Sequence, residues 1–109
     1  MLTRRMSVGA AGESVAGRFL ERRGAVIVDR NVRVGQDEID LIVRIDGRPV
    51  AVEVKTGLGP GTRPWENFDD EKNARIRRAA GVLSIRRIDL IAVELNGFGA
   101  TVRWLPGVG

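Results

Sequence analysis

Two acids and a lysine stand among apolar residues in two neighbouring segments of the chain. Residues 38–43 and 50–55 have the alternating apolar pattern of β-strands, yet Asp40, Glu53 and Lys55 lie within them. Charges inside a sheet are costly to desolvate unless they are paired or bind a metal. Two neighbouring carboxylates repel each other when both are ionised, and a divalent cation relieves that repulsion. The residue types therefore point to a site with a chemical role.

The two segments are expected to form a β-hairpin, because the strong turn signal Asp46-Gly47 lies between them. A two-residue turn places Asp40 opposite Glu53, whereas a four-residue turn places Asp40 opposite Lys55. Since side chains alternate between faces, either register gathers these three charges on one face, with Cβ atoms roughly 5 to 8 Å apart. The other face is expected to carry Ile39, Leu41, Val43, Ile45, Val50, Val52 and Val54.

The composition narrows the chemistry that such a site can perform. The 109 residues, 43% of them hydrophobic, predict one domain over residues 1–109, with residues 1–6 flexible. Cysteine and histidine are absent, which excludes disulfides, thiolate ligands, histidine-based nucleophilic catalysis and imidazole zinc sites. A metal site must then use oxygen ligands, which favours Mg²⁺ or Mn²⁺.

The charge balance of 18 basic against 14 acidic residues gives a net charge of +4. Basic clusters suit a polyanionic partner, but a solvated arginine-rich face explains them equally well. The chain has no apolar run of about 18 residues, so no membrane span is expected. Without an apolar stretch of the signal-peptide type near its start, the protein is expected to be cytoplasmic. The clusters are Arg18, Arg22 and Arg23, and Arg75, Arg77, Arg78, Arg86 and Arg87.

The periodicity of the chain predicts the element order α-β-β-β-α-β-β. This order indicates an α/β fold with a mixed sheet flanked by helices, in which the second helix is a right-handed crossover between parallel strands. The central hairpin and the long apolar strand near the C-terminus should form the interior of the sheet. The expected elements are a helix over 8–23, strands over 25–33, 38–45 and 50–55, a loop over 57–64, a helix from 69 or 70 to 83, and strands over 88–95 and 100–105.

Two charged residues on the predicted helices are candidates to join the cluster. Glu13 shares a helix face with the apolar residues Ala16 and Leu20. It is either a site carboxylate or a first-turn acid that favours the helix dipole. Lys72 shares a face with Ile76, and its stem either crosses the edge of the core or brings its ammonium group to the site. In the same way, Glu53 and Lys55 are either site residues or an ion pair on a solvated sheet face.

These parts suit the hydrolysis of a phosphodiester without histidine. Magnesium binds one or two carboxylates and keeps several waters, activates water as a nucleophile and stabilises phosphoryl oxygens. A lysine beside the metal can orient or deprotonate that water, or neutralise the charge that develops on the phosphate.

Asp40 followed by Glu53-Val54-Lys55 matches the D…(D/E)-x-K pattern of the PD-(D/E)XK nuclease superfamily. A longer series of motifs, covering nearly the whole chain, resembles the YraN-type family of that superfamily. The series comprises Gly12-Glu13, Ala16, Phe19-Leu20, Gly24, Arg30-Asn31-x-Arg33, residues 38–42 (EIDLI), residues 52–55 (VEVK), Lys72, Arg75 and residues 87–93 (RIDLIAV).

The resemblance implies a restriction-endonuclease-like fold, similar to archaeal Holliday-junction resolvases. It implies that Asp40 and Glu53 are ligands of Mg²⁺ or Mn²⁺, that Lys55 is the catalytic lysine and that Glu13 is an accessory acid. The implied substrate is DNA, branched or otherwise structured, and the analogy with resolvases implies a homodimer. Candidate nucleic-acid contacts are Arg63, Trp65, Lys72, Arg75 and Arg78, with packing of Trp65 on the core as the alternative.

Three functions are compatible with the sequence. The first is a magnesium-dependent endonuclease held to the nucleic-acid backbone by arginines. The second is a non-catalytic nucleic-acid-binding module that retains the nuclease fold; the presence of both Asp40 and Glu53 argues against it. The third is a structural or partner-binding protein with a plain Glu53–Lys55 ion pair, which predicts neither bound metal nor affinity for nucleic acid.

Overall fold

The computed structural model describes residues 7–67 and 69–108, so the predicted flexibility of residues 1–6 lies outside the described part of the chain. Two helices flank a five-stranded sheet, and the elements follow the predicted order. They are α1 (Val8–Arg22), β1 (Val26–Val34), β2 (Asp37–Ile45), β3 (Arg48–Leu58), a short 3-10 helix (Pro64–Asn67), α2 (Asp70–Val82), β4 (Arg87–Asn96) and β5 (Gly99–Leu105).

Local signals set the ends of both helices. The hydroxyl of Ser7 accepts a hydrogen bond from the Ala10 N–H at 3.1 Å, and Asp69 caps α2 by accepting the Lys72 N–H at 2.9 Å. After α1 the chain turns at Gly24, whose φ of 91° suits glycine. Neither α1, with 15 residues, nor α2 is long and apolar enough to cross a membrane.

The sheet has the strand order β1-β2-β3-β4-β5, with β3 and β4 parallel and the other neighbours antiparallel. The mixed sheet, the interior position of β2, β3 and β4, and the crossover through α2 are therefore as predicted. The loop predicted over residues 57–64 is shorter at both ends: residues 57 and 58 extend β3, where they pair with Glu94 and Leu95 of β4, and Pro64 begins the 3-10 helix.

The β2–β3 turn settles which hairpin register the protein adopts. Val43 pairs with Val50 and Ile45 with Arg48, which leaves the two-residue turn Asp46-Gly47. Both turn residues have positive φ, as a type I′ turn requires. The alternative four-residue turn is excluded.

Each face of the sheet carries its own apolar cluster. The cluster beneath α1 joins Ala16 and Leu20 to residues of β2, β3 and β4. The cluster beneath α2 contains Ile39, which the strict alternation of β2 had assigned to the α1 face. Ile39 pairs with Val32 of β1, next to Asn31, whose φ of 50° interrupts the regular strand geometry. The apolar side chains of β2 therefore switch from the α2 face of the sheet at Ile39 to the α1 face at Leu41, and Asp40 lies at the switch.

Asp89 on β4 is fully buried and binds β5 and the residues that follow it to the sheet. Its carboxylate accepts hydrogen bonds from the guanidinium of Arg87 at 2.9 and 3.0 Å, from Trp104 Nε1 at 2.9 Å and from the Gly107 N–H at 2.9 Å. We therefore interpret Asp89 as a structural residue. Without its carboxylate, each of these donors would lose its hydrogen-bond acceptor.

The substitution Asp89→Ala is expected to lower the free energy of unfolding by about 3 kcal/mol, because it strands the donors of Arg87 and Trp104. Urea denaturation followed by tryptophan fluorescence measures this loss. The matched control is Glu21→Ala, an exposed acid on α1, for which we expect a change within about 0.5 kcal/mol. Equal stability of the two variants would show that the Asp89 contacts are not structural.

Candidate active site

The site forms where β2 and β3 separate. Their pairing ends at Leu41 and Val52, whereas the pairing of β2 with β1 continues to Asp37. Just beyond the last pair, the Val54 N–H donates a hydrogen bond of 2.8 Å to Asp40 Oδ2. The Asp40 side chain thus takes the place of a backbone partner, which fixes its carboxylate between the two strands.

Glu53 and Lys55 on β3 complete the charged part of the hairpin. The carboxyl of Glu53 lies beside that of Asp40, which acts to raise the pKa of Glu53, and Lys55 Nζ lies 3.5 Å from Glu53 Oε1. The side chains of Lys55 and Glu53 are only 23% and 17% exposed, so the pair does not lie on an open sheet face. The structure therefore brings Asp40, Glu53 and Lys55 together, while their metal-binding and catalytic roles stay predictions.

Glu13 reaches this cluster from α1. It is the sixth residue of the helix, so the alternative interpretation as a first-turn acid is wrong. Carboxylate oxygens of Glu13 and Asp40 lie within 4.8 Å of each other. Close contact between α1 and β3 makes this possible: a Cβ on Gly12 would lie 2.8 Å from Thr56 Cβ, so only glycine lets the helix approach so closely.

The substitution Gly12→Ala is expected to destabilise the protein by about 1 to 3 kcal/mol, because the added methyl group pushes α1 away from Thr56. The control Gly9→Ala places the same methyl group on the same helix with no atom within 4 Å, and we expect it to be neutral or to stabilise by up to about 1 kcal/mol. Thermal unfolding of both variants measures the difference. A Gly12→Ala protein as stable as Gly9→Ala would contradict the close approach.

Glu38 is a member of the cluster that the sequence interpretation did not include. Single carboxylate oxygens of Glu13, Glu38 and Asp40 all lie within 4.8 Å of one another. The available signal was the spacing, because residues two apart on a strand share a face, and Glu38 is two residues from Asp40. Hard oxygen donors at this spacing match the preference of Mg²⁺ and Mn²⁺, so the residues present fit a divalent cation.

Burial and neighbouring acids raise the pKa values of Glu53 and Glu13 towards neutral pH. Burial first, and then the hydrogen bond and charge of Asp40, raise the pKa of Glu53 to about 8, although Lys55 opposes this shift. Burial and the nearby Asp40 and Glu38 raise the pKa of Glu13 to about 7, against the lowering effect of Arg30. At neutral pH the cluster therefore holds protons, which a cation has to displace.

Two clefts are each lined by acids of this cluster. A cleft of 230 Å³ on the α1 side is lined by Glu13, Asp40 and Asn31 among others. A larger cleft of 460 Å³ on the α2 side is more polar, and Glu53 and Lys55 lie in its wall. Its other lining residues are Gln36, Asp37, Glu38, Lys72, Arg75, Ile76 and Arg78.

The candidate nucleic-acid contacts divide into two groups. Lys72, Arg75 and Arg78 lie on α2 and line the larger cleft, where Arg75 pairs with Glu71 and Arg78 pairs with Asp37 at 3.1 Å. This supports the interpretation of Lys72 as a residue near the site.

Arg63 and Trp65 lie outside the lining of that cleft. Arg63 pairs with Glu66 at 3.1 Å and is exposed. The ring of Trp65 lies 4.7 Å from the guanidinium carbon of Arg103, and within the described residues neither apolar cluster includes Trp65.

Comparison with known proteins places the chain in a family. Residues 12–93 match the uncharacterised protein family UPF0102. The "UPF0102 protein" of Syntrophotalea carbinolica is 38% identical over 98% of this chain and 94% of the relative, and that of Beutenbergia cavernae is 41% identical over 94% and 96%. Among solved structures, one described as "Crystal structure of SSO0001" is similar over 85% of this chain and 50% of that chain, at 15% identity and a TM-score of 0.38. The chain belongs to the UPF0102 family.

Proposed function

We propose that the protein is a divalent-metal-dependent nuclease that hydrolyses phosphodiester bonds in DNA, with branched DNA among its substrates. The observation that carries the proposal is the convergence of four carboxyl groups and one lysine at the gap between β2 and β3. Acids that share protons at neutral pH are unfavourable for a purely structural core, and they gain from a cation.

Asp40 and Glu53 are the proposed metal ligands, as the resemblance to the PD-(D/E)XK superfamily implies. Asp40 is held by the Val54 N–H, and Glu53 by its own burial and by Asp40. Glu13 and Glu38 add negative charge from the helix and from the start of β2. A bound Mg²⁺ ion would supply stabilisation of the phosphate charge and activation of water.

Lys55 is the proposed catalytic residue. Its ammonium group has three hydrogen-bond donors and lies 3.5 Å from Glu53 Oε1. The side chain lines the larger cleft. A phosphate bound in this cleft would receive a hydrogen bond and a positive charge from Lys55, which lowers the cost of the charge that develops during hydrolysis.

The basic residues of α2 are proposed to hold the DNA backbone. Lys72, Arg75 and Arg78 line the same cleft as Lys55, so phosphates next to the cleaved bond would meet further cations. The choice of DNA, and of branched DNA in particular, rests on the resemblance to resolvases.

The double substitution Lys72→Ala/Arg75→Ala is expected to weaken DNA binding in EDTA. It should also make the slope of log K against log salt concentration shallower by about 2, as the loss of two phosphate contacts predicts. Fluorescence anisotropy with a labelled branched DNA measures both effects. The control Arg44→Ala/Arg48→Ala removes the same charge at the turn end of the β2–β3 hairpin, where no effect on the salt slope is expected. Equal slopes would place the DNA elsewhere.

Incubation of branched and linear DNA with Mg²⁺ or Mn²⁺ tests the proposal itself. We expect cleavage that EDTA abolishes. DNA binding without any cleavage in either metal would instead support the non-catalytic module, and neither binding nor cleavage would support the structural role.

A further inference from the structure

Asn31 has an unusual backbone conformation next to the acid cluster. Its φ of 50° lies in the left-handed region, and it stands on β1 between the pairs Arg30–Leu41 and Val32–Ile39. Asparagine tolerates this conformation better than most residues, which by itself explains an asparagine here on purely conformational grounds.

The side chain of Asn31 has contacts that its backbone role does not require. With the amide oriented to satisfy its neighbours, Nδ2 donates to Glu13 Oε1 at 3.1 Å and to Glu38 Oε1 at 3.2 Å. One amide thus bridges two carboxylates that come from different elements, α1 and β2. The residue also lines the smaller cleft together with Glu13 and Asp40.

A bridging amide reduces the repulsion between the carboxylates of this cluster. Oxygens of Glu13, Glu38 and Asp40 lie within 4.8 Å of one another, and their like charges favour separation. A neutral amide with two donors draws the carboxylates together without adding a positive charge that would compete with a cation. An arginine or lysine in this place would pair with the acids and oppose cation uptake.

We propose that Asn31 is a positioning residue, which holds the carboxylates of Glu13 and Glu38 beside Asp40, where their negative charge favours the binding of a divalent cation. The inference rests on the proposed function. Hydrogen bonds that order the groups around a metal site typically contribute about 10- to 100-fold to metal affinity.

The substitution Asn31→Gly separates the two roles of this residue, because glycine keeps the left-handed backbone and removes the amide. We expect the dissociation constant for Mn²⁺, measured by calorimetry on the full chain, to rise about 10- to 100-fold. The matched control is Ser84→Gly, since Ser84 has a φ of 59° and lies between α2 and β4, away from the cluster. Its Mn²⁺ affinity should equal that of the wild type.

A second readout needs no metal. In a proton–nitrogen correlation spectrum, the Asn31 side-chain NH₂ signals are those lost in Asn31→Gly, and we expect Glu13→Gln to shift them while Glu21→Gln leaves them in place. Unshifted NH₂ signals in Glu13→Gln, or wild-type Mn²⁺ affinity in Asn31→Gly, would overturn the positioning role.

The two readouts also separate this inference from the proposed function. Wild-type protein that takes up no Mn²⁺ or Mg²⁺ would contradict the proposed function, and the NH₂ signals would then still decide whether Asn31 holds the carboxylates. Cation binding that is strong in the wild type and unchanged in Asn31→Gly would contradict the role of Asn31 alone.

Discussion

Asp40→Asn and Glu53→Gln proteins are expected to cleave DNA about a thousand times more slowly than the wild type in Mg²⁺. Each substitution removes one negative charge while preserving side-chain size, so the proposed metal ligands are lost without an empty space. A catalytic cation contributes several kcal/mol to transition-state stabilisation, and every 1.4 kcal/mol corresponds to a factor of about ten. Single-turnover cleavage of an end-labelled branched DNA measures the rate.

The loss should be accompanied by weaker cation binding. Calorimetric titration with Mn²⁺ is expected to show little or no uptake by either variant, whereas Glu21→Gln, which removes an exposed charge from α1, should bind as the wild type does. Variants that bind Mn²⁺ normally and cleave at the wild-type rate would place the catalytic centre elsewhere in the molecule.

Glu53→Gln is also expected to make the metal-free protein more stable at alkaline pH. The pKa of Glu53 is raised from 4.5 to about 8 in the folded protein, mainly by burial and then by Asp40. Between these two values the folded state keeps a proton that the unfolded state has lost, so the stability of the wild type falls as the pH rises from about 4.5 to 8. Glutamine does not ionise, and the variant escapes this loss.

We expect the gain to be on the order of 2 kcal/mol at pH 8.5 and to vanish below pH 4.5. Urea denaturation of wild type and variant in EDTA across this pH range measures the difference. The control Glu21→Gln should follow the wild-type profile at every pH. A Glu53→Gln protein that is less stable than the wild type at pH 8.5 would show that the ionised carboxylate is well solvated or well paired in the folded state.

Together, these two expectations separate function from stability at one residue. A structural ion pair between Glu53 and Lys55 predicts that Glu53→Gln destabilises the protein. If Glu53 is instead a metal ligand whose burial destabilises the metal-free protein, Glu53→Gln should increase the free energy of unfolding and abolish activity.

The hairpin could be predicted because its signals are local. Asp46-Gly47 specifies the turn, and the alternation of β3 places Glu53 and Lys55 on one face, as the structure has them. The alternation of β2 was less informative, because it breaks near Asp40, where the left-handed Asn31 on the neighbouring strand changes the local geometry. This break in the alternation arises from the contact between two strands, so the sequence of β2 alone does not predict it.

The rest of the site depends on contacts between distant segments. Glu13 meets Glu38 because α1 docks closely on β3 at Gly12 and Thr56, and a periodic pattern does not show which residues will face each other across that contact. The network around Asp89 depends on chain that follows β5 and was likewise not foreseen from the sequence. These contacts connect residues far apart in the chain.

Cleavage of a branched DNA and a linear duplex in Mg²⁺, by the wild type, Lys55→Ala and Glu53→Ala, tests the central claim most directly. The account predicts cleavage by the wild type that stops in EDTA, and none above background by either variant, although both keep the circular dichroism spectrum of the wild type. Unchanged cleavage by both variants, or no cleavage of any DNA by a folded wild type that binds Mg²⁺, would contradict it.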